Sequence, residues 1–440
     1  METRRIASDD RAVVSGADVL RTTLRNGLTV LVRRDASAPV VAIVTYVKAG
    51  YFDEPDDVVG ISHVLEHMYF KGTPTRGVGE IARATKAVGG YLNAHTIYDH
   101  TSYYTVLPAA SFAEGLAIQA DAYANSLVDA EELRRELAVI IQEAKRKDDA
   151  PAAVATESVY ALMFDRHRMR RWRIGRPEQL ATFTREQVVG FYRAFYRPSN
   201  TILSVVGDVE PDAVVRAIEV THGQLPDSAA VRTPGPAETT TASDGPRYRS
   251  WTGDIMQTQV LFGWRTPGTL HPDTPLLDLA ATILGTGRAS RLYRSVRERQ
   301  LASSVSAYNY TPTELGVFVV HVECPPATGA AAAQATWAEL CDLREHGVSA
   351  HELDRAQRII EARWLRRGES MDGQASFLAE WEALGDWLLG DRYLAQLLTA
   401  TASQVTSAIR QYLTPEAAAI AIYSPPSAAT VPQLVEFALV

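Results

Sequence analysis

Hydrophobic residues along the first half of the chain follow two periods, that of strands and that of helices. Short runs rich in β-branched residues predict strands at residues 19–24, 28–33, 40–47, 91–97, 101–107 and 201–206. The pair Asn26-Gly27 lies between the first two runs and predicts a hairpin with a type I′ turn. Helical periodicity predicts helices at residues 79–88, 111–127, 130–148, 151–164 and 185–195. This mixture predicts an α+β fold with a mostly antiparallel sheet packed with helices.

Residues 226–246 interrupt the pattern with four prolines and a run of Thr and Ser. Such a segment predicts an interdomain linker. The chain has 440 residues, more than one hydrophobic core usually serves. We therefore expect an N-terminal domain at residues 1–225 and a C-terminal domain at residues 247–440.

The C-terminal domain repeats landmarks of the N-terminal domain. Pro55 is matched by Pro272 and Pro198 by Pro415, with a separation of 217 residues in both cases. Two distant landmarks with one offset indicate a duplicated fold of about 220 residues.

Residues 63–67 read His-Val-Leu-Glu-His. Imidazoles four positions apart lie on one face of a helix, and Glu66 shares that face. This is the inverted zincin spacing, in which two histidines hold zinc and the glutamate handles a proton of the metal-bound water. The alternative is a surface helix with a solvated histidine pair. The apolar neighbours Val64 and Leu65 indicate a packed helix, which favours the metal site because buried polar groups need partners.

The repeat predicts that the C-terminal domain lacks this site. At the offset of 217, the equivalents of His63, Glu66 and His67 are Ala280, Ile283 and Leu284. The polar residues are therefore an addition to the duplicated scaffold and are not required by it.

A catalytic zinc site needs a third protein ligand and an open position for water. Glu143, on the predicted helix 130–148, is the best candidate for that ligand. Glu136 lies two turns earlier on the same face, where it would orient a ligand or the water. The alternative reading of this glutamate pair is solvated surface.

Composition narrows the classes of partner. Hydrophobic residues make up 46% and charged residues 22% of the chain, as in ordinary globular proteins. The net charge of −8 argues against a nucleic-acid binder. Cys324 and Cys341 form neither a zinc spacing nor a disulfide scaffold. Neither a signal peptide nor an apolar run of membrane-spanning length is found, so we expect a cytoplasmic location and no membrane partner.

Several segments together resemble one family. They are His63–Thr73 (HVLEHMYFKGT) with Glu143, Gly90–Thr96 (GYLNAHT), Phe195–Thr201 (FYRPSNT), Val205–Asp208 (VVGD) and Gly285–Tyr293 (GTGRASRLY). They are similar to the pitrilysin/insulinase family of zinc peptidases, in form to its bacterial two-domain members and to the beta subunit of the mitochondrial processing peptidase. The resemblance covers nearly the whole chain.

The resemblance implies specific roles. His63, His67 and Glu143 would ligate one Zn²⁺ per chain, Glu66 would be the general base, and Glu136 would be a further catalytic glutamate. The two homologous halves would form half of a clam-shell chamber. The implied activity is zinc-dependent endoproteolysis of extended peptides or leader segments.

The resemblance also implies residues that bind the substrate. Asn93 and Ala94 match a strand edge that receives the substrate backbone, which fits the way extended peptides add to exposed sheet edges. The alternative for this pair is an ordinary strand end. Arg297 matches an arginine that binds substrate near the metal in single-chain relatives.

One position departs from the family pattern. Ser303 stands where single-chain relatives have a substrate-binding tyrosine, and Tyr308 and Tyr310 have the wrong register on an alternating strand. Similar bacterial proteins pair a zinc subunit with a metal-free relative that supplies both side chains. We therefore expect a heterodimer with a metal-free homologous subunit, and otherwise a homodimer.

Two other functions remain open at this point. One is a non-catalytic structural or assembly subunit of the same fold, and the other is a metal-binding module without hydrolytic activity. His95 and His100 are expected to serve a hairpin rather than the metal. The six arginines of residues 166–176 predict a solvated loop, or alternatively a surface for an acidic peptide or partner.

Overall fold

The computed structural model describes residues 19–227, 232–238 and 245–428. The strands are β1 (Val19–Thr23), β2 (Thr29–Arg34), β3 (Val40–Val47), β4 (Tyr91–Thr96), β5 (Thr101–Pro108), β6 (Thr201–Gly207), β7 (Arg247–Thr252), β8 (Thr258–Pro267), β9 (Ser304–Tyr310), β10 (Leu315–Cys324) and β11 (Ala419–Ser424). The helices are α1 (Ile61–Met68), α2 (Glu80–Ala87), α3 (Phe112–Asn125), α4 (Ala130–Asp148), α5 (Pro151–Met163), α6 (Pro177–Leu180), α7 (Arg185–Phe195), α8 (Pro211–His222), α9 (Thr274–Gly285), α10 (Gly329–His346), α11 (Ala350–Arg367), α12 (Met371–Ala383), α13 (Leu389–Thr399) and α14 (Ala402–Tyr412).

All three predicted segments extend beyond these residues. Outside the described part lie residues 1–18 of the expected N-terminal domain, residues 228–231 and 239–244 of the expected linker, and residues 429–440 of the expected C-terminal domain. Within the described part, no helix combines the length and the hydropathy that a membrane span requires.

The first sheet has six strands in the order β1-β2-β6-β3-β5-β4. Neighbouring strands are antiparallel except β2 and β6, which are parallel. Strand β4 forms one edge and pairs with β5 so that Asn93 lies opposite Tyr104 and Ala94 opposite Tyr103. Among the described strands, none pairs with the outer side of β4, the strand that carries the predicted substrate-binding pair.

The second sheet has five strands and repeats the order of all strands of the first sheet except β1. Its order is β7-β11-β8-β10-β9, in which β7 and β11 are parallel and the other neighbouring strands are antiparallel. Helices α7 and α14 are related by an offset of 217 residues at both ends, as are the short 3₁₀ helices Pro198–Asn200 and Pro415–Ala417. The predicted duplicated α+β fold is confirmed.

Helix α9 is the counterpart of α1 in the second half. The side chains of Ala280, Ile283 and Leu284 are fully buried there. The apolar residues predicted at the positions of the metal motif are thus core residues of the second half.

The chain forms two compact units that are not continuous in sequence. Among the described residues, unit 1 comprises 19–144, 172–227, 232–233 and 364–392, and unit 2 comprises 145–171, 234–238, 245–363 and 393–428. In unit 1, α12 from late in the chain packs on β3 and β6. In unit 2, α5 from early in the chain packs on β8 and β11. The predicted boundaries at residues 225 and 247 stay a prediction.

The turn between β1 and β2 differs from the prediction. Gly27 has φ +88°, but Asn26 is not among the residues with positive φ, which a type I′ turn needs at both central positions. Leu24 N–H donates to the Leu28 carbonyl oxygen and Gly27 N–H to the Leu24 carbonyl oxygen. The loop is therefore three residues long, with glycine in the left-handed position.

Helix α1 is fixed at its start by a buried carboxylate. Glu54 is fully buried, and its two oxygens accept hydrogen bonds from the backbone N–H groups of Gly60 (2.9 Å) and Ser62 (3.0 Å). A carboxylate at a helix N-terminus satisfies N–H groups that lack helical partners and complements the helix dipole. Gly60 has φ +100°, and a Cβ there would lie 2.6 Å from the Ile174 carbonyl oxygen, so only glycine fits.

We predict that Glu54→Gln destabilises unit 1. A glutamine places an N–H₂ group against one of the two backbone donors and leaves that donor without an acceptor, which costs about 1–3 kcal/mol. The urea midpoint of the variant should fall, while that of Glu219→Gln, a change at an exposed glutamate, should not. An unchanged midpoint in Glu54→Gln would show that the cap does not hold α1.

Candidate metal centre

Helix α1 presents two histidines side by side. The ring centroids of His63 and His67 lie 4.7 Å apart, and the side chains are 13% and 24% exposed. The opposite face of the helix carries Val64, Leu65 and Met68, which are completely buried. Packing of the apolar face therefore turns both imidazoles towards the side from which a ligand could approach.

Helix α4 brings Glu143 to these rings. Its Oε2 atom lies 4.0 Å from Nε2 of His63 and 4.0 Å from Nε2 of His67. Ile140 of α4 belongs to the same buried cluster as Val64 and Leu65. Apolar contacts within that cluster thus set the distance between the carboxylate and the imidazoles.

These three side chains fit a zinc ion. Their ligand atoms all lie within 4.8 Å of one another. The 4.0 Å between Glu143 Oε2 and each imidazole Nε2 is close to the separation of about 3.4 Å that tetrahedral zinc with bonds of about 2.0–2.1 Å requires. Two neutral imidazoles and one carboxylate are a donor set typical of catalytic zinc, with a fourth position left for water. The side chain of Glu143 is 42% exposed, so the centre is open to solvent.

Glu136 lies behind His67 and not beside the ligand atoms. Its Oε2 is 3.1 Å from Nδ1 of His67, and its Oε1 forms an ion pair with Lys71. Burial alone would raise the pKa of Glu136, but hydrogen bonds from Lys71 and His67 outweigh burial and hold the pKa below its usual value. An ionised Glu136 that accepts the Nδ1 proton keeps Nε2 of His67 available for a metal.

Glu66 is held by a residue of the neighbouring strand. The hydroxyl of Thr96 donates a hydrogen bond of 2.5 Å to Glu66 Oε2. Burial raises the pKa of Glu66, and the negative charge of Glu143 adds to that rise, while Thr96 and His67 oppose it. The carboxylate therefore lies beside the three candidate ligands with one oxygen engaged by Thr96.

The structure places the other candidate residues as follows. Asn93 and Ala94 lie on the edge strand β4. In unit 2, Arg297 is exposed at the end of a short π-helical turn, and Ser303 precedes β9 and donates to Gln257 Oε1 (2.8 Å).

Two histidines of the first sheet lie in the β4–β5 hairpin. Nε2 of His95 is 3.2 Å from Nε2 of His100, and Nδ1 of His100 is 2.8 Å from the Tyr46 hydroxyl. Neither belongs to the group of candidate metal ligands found among the described residues.

Three residues near the centre have positioning contacts that the sequence reasoning missed. They are Glu54, which caps α1, Lys71, which pairs with Glu136, and Thr96, which binds Glu66. Lys71 and Thr96 lie inside the segments His63–Thr73 and Gly90–Thr96, which carry the family resemblance. Their positions were thus visible in the sequence, but their partners were not.

Among curated proteins, the chain is similar to bacterial proteins named "uncharacterized zinc protease". The protein of Mycobacterium tuberculosis H37Rv is 30% identical over 399 residues, which cover 89% of this chain and 90% of the relative. The protein of Mycobacterium leprae is 29% identical over 406 residues, covering 92% and 91%. The protein of Bacillus subtilis is 26% identical over 417 residues, covering 92% and 98%.

Solved structures share the fold. A protease from Helicobacter pylori matches with a TM-score of 0.88 and 25% identity, covering 92% of this chain and 99% of that one. A peptidase M16 inactive domain from Pseudomonas fluorescens matches with a TM-score of 0.83 and 18% identity, covering 94% and 100%. The second likeness concerns the fold alone.

Family models match both halves of the chain. The model described as insulinase (peptidase family M16) matches residues 29–175, which include the metal motif. The model described as peptidase M16 inactive domain matches residues 182–360, which lack it. With the full-length similarity to the mycobacterial relatives, these matches show that the chain belongs to the insulinase family of peptidases, family M16.

Proposed function

We propose that the chain is a zinc-dependent endopeptidase that hydrolyses extended peptides or leader segments. The observation that carries this proposal is the convergence of His63, His67 and Glu143 with Glu66 beside them. Zinc, when bound, would supply the Lewis acid that polarises a peptide carbonyl and makes water reactive near neutral pH. The names of the relatives support zinc as the metal.

The chain's own residues would manage the protons. Oε2 of Glu66 accepts the hydrogen bond from Thr96, so Oε1 is the oxygen that would take a proton from the attacking water. The same oxygen would deliver that proton to the leaving amine nitrogen. Glu136 would accept a hydrogen bond from the protonated Nδ1 of His67 throughout the reaction. This hydrogen bond fixes the tautomer and the orientation of the ring.

The exposed edge of β4 would bind the substrate. An extended peptide that adds to a sheet edge gains main-chain hydrogen bonds. Asn93 and Ala94 lie on this strand, and Ala94 packs against the buried cluster that also holds Val64 and Leu65 of α1. A bound peptide would therefore run next to the helix that carries the metal motif.

We predict that Glu66→Gln abolishes peptide cleavage and leaves zinc binding intact. The amide has nearly the same shape but cannot accept a proton, and loss of a general base costs about 10²–10⁴-fold in rate. Cleavage is measured on a quenched-fluorescence peptide library and zinc by metal analysis of the same samples.

Glu219→Gln, at an exposed position of α8, is the matched control and should behave as the wild type. Retained cleavage in a zinc-loaded Glu66→Gln protein would contradict the assignment. A wild-type chain that neither binds zinc nor cleaves peptides would favour a non-catalytic assembly role instead.

We predict that Lys71→Met weakens zinc binding by about tenfold, the lower end of the range for residues that orient metal ligands. Without the ammonium group, Glu136 loses one of the partners that fix it beside His67. Competition with a chelator measures the affinity, and Lys71→Arg, which keeps the charge, should retain most of it. Equal affinity in Lys71→Met and the wild type would show that the ion pair does not support the metal centre.

We further propose that the chain works with a metal-free homologous subunit. The support is Ser303, whose short side chain is engaged with Gln257 and cannot replace the phenol that single-chain relatives use. A partner would contribute an arginine and a tyrosine to the transition state. The loss of one such hydrogen-bond donor to the transition state lowers kcat by about 10²–10³-fold.

We predict that the purified chain alone cleaves peptides at least about 100-fold more slowly than the chain co-expressed with a metal-free homologue. Light scattering establishes the oligomeric state of each sample before the rates are compared. Full activity in a proven monomer or homodimer would contradict the heterodimer and leave the assignments of zinc and Glu66 standing.

A further inference from the structure

One short hydrogen bond joins helix α1, which carries the metal motif, to the edge strand β4. Thr96, the last residue of β4, donates its hydroxyl to Oε2 of Glu66 at 2.5 Å. Hydrogen bonds from a hydroxyl to a carboxylate are short and stronger than those between neutral groups. The proposed general base is thus attached to a strand that lies outside its own helix.

Thr96 is itself held in place by the sheet. It pairs with Thr101 of β5, and the two hydroxyl oxygens lie 3.3 Å apart. Thr101 is 1% exposed and donates to the Ala49 carbonyl oxygen at 3.0 Å. A β-branched side chain also has few χ1 options. The hydroxyl that reaches Glu66 therefore has a position set by the backbone of β4 and β5.

The same strand carries the proposed docking residues. Side chains alternate along a strand, so Ala94 and Thr96 point to the same side of β4. That side faces α1, since Ala94 packs in the cluster that contains Val64 and Leu65. Strand β4 would consequently position two groups at once. One is a peptide that adds to its edge, and the other is the carboxylate of Glu66.

We propose that Thr96 is a positioning residue for the reaction. Its hydrogen bond fixes Oε2 of Glu66 to β4, which directs Oε1 towards the water that attacks the docked peptide. Without the bond the side chain of Glu66 is no longer tied to β4 and can rotate among its rotamers. This inference rests on the proposed peptidase function. It adds a residue that holds Glu66, the proposed base, at a fixed position relative to β4, the strand to which the peptide would add.

Thr96→Val tests the inference because valine keeps the shape and the β-branch but removes the donor. We expect kcat to fall about 10–100-fold, the loss that removal of a hydrogen bond to a charged group produces. KM should stay within about twofold, because the edge of β4 is unchanged. Zinc affinity, measured by chelator competition, should equal that of the wild type. Thr96→Ser should restore most of kcat, and Thr23→Val, at an exposed position of β1, is the control.

Each other outcome overturns the inference. An unchanged kcat in Thr96→Val excludes a positioning role, and a raised KM with unchanged kcat assigns Thr96 to substrate binding. If the valine variant fails to fold or to bind zinc, Thr96→Ser and Thr96→Ala decide, since they differ only by the hydroxyl. Equal kcat in that pair rejects the inference. All variants are compared in the chain co-expressed with a metal-free homologue. A wild-type complex without any cleavage contradicts the peptidase function as well, whereas an active wild-type complex with an unaffected valine variant contradicts only the role of Thr96.

Discussion

The approach of one carboxylate to two imidazoles is the interaction on which the rest of this account depends. Oε2 of Glu143 lies 4.0 Å from Nε2 of both histidines of α1. These separations are longer than a hydrogen bond, so the carboxylate and the imidazoles are not brought together by direct hydrogen bonds between these atoms. The arrangement is instead produced by apolar packing, which buries Ile140 of α4 in the same cluster as the inner face of α1, and by the Glu54 cap at the start of α1.

Duplication of the fold shows that the scaffold does not need the metal. Helix α9 occupies the place of α1 in the second half and carries buried apolar residues where α1 carries its polar groups. The five strands β2-β6-β3-β5-β4 of the first sheet still match the second sheet in their order and in the position of the parallel pair. The residues of the candidate metal centre are therefore an addition to a fold whose second copy is built without them, and function has to be argued from the site.

The sequence predicted the elements well because hydrophobic periodicity and turn residues are local signals. Helices α4 and α7 begin and end at the predicted residues. Predictions were missing where distant residues decide the outcome. Periodicity predicts α5 but not which sheet it packs on, and the contacts of Glu66 with Thr96 and of Lys71 with Glu136 join residues 30 and 65 positions apart. The type I′ turn failed because Asn26-Gly27 also suits a three-residue loop that needs only the glycine in the left-handed region.

The central claim is that His63, His67 and Glu143 close around one zinc ion. Anomalous diffraction at the zinc edge, from crystals of the zinc-loaded chain, tests this claim most directly. The account predicts one strong anomalous peak per chain within about 2.0–2.2 Å of both Nε2 atoms and of an oxygen of Glu143. A chain that gives no peak there, or one in which Glu143 is not a ligand, would contradict it.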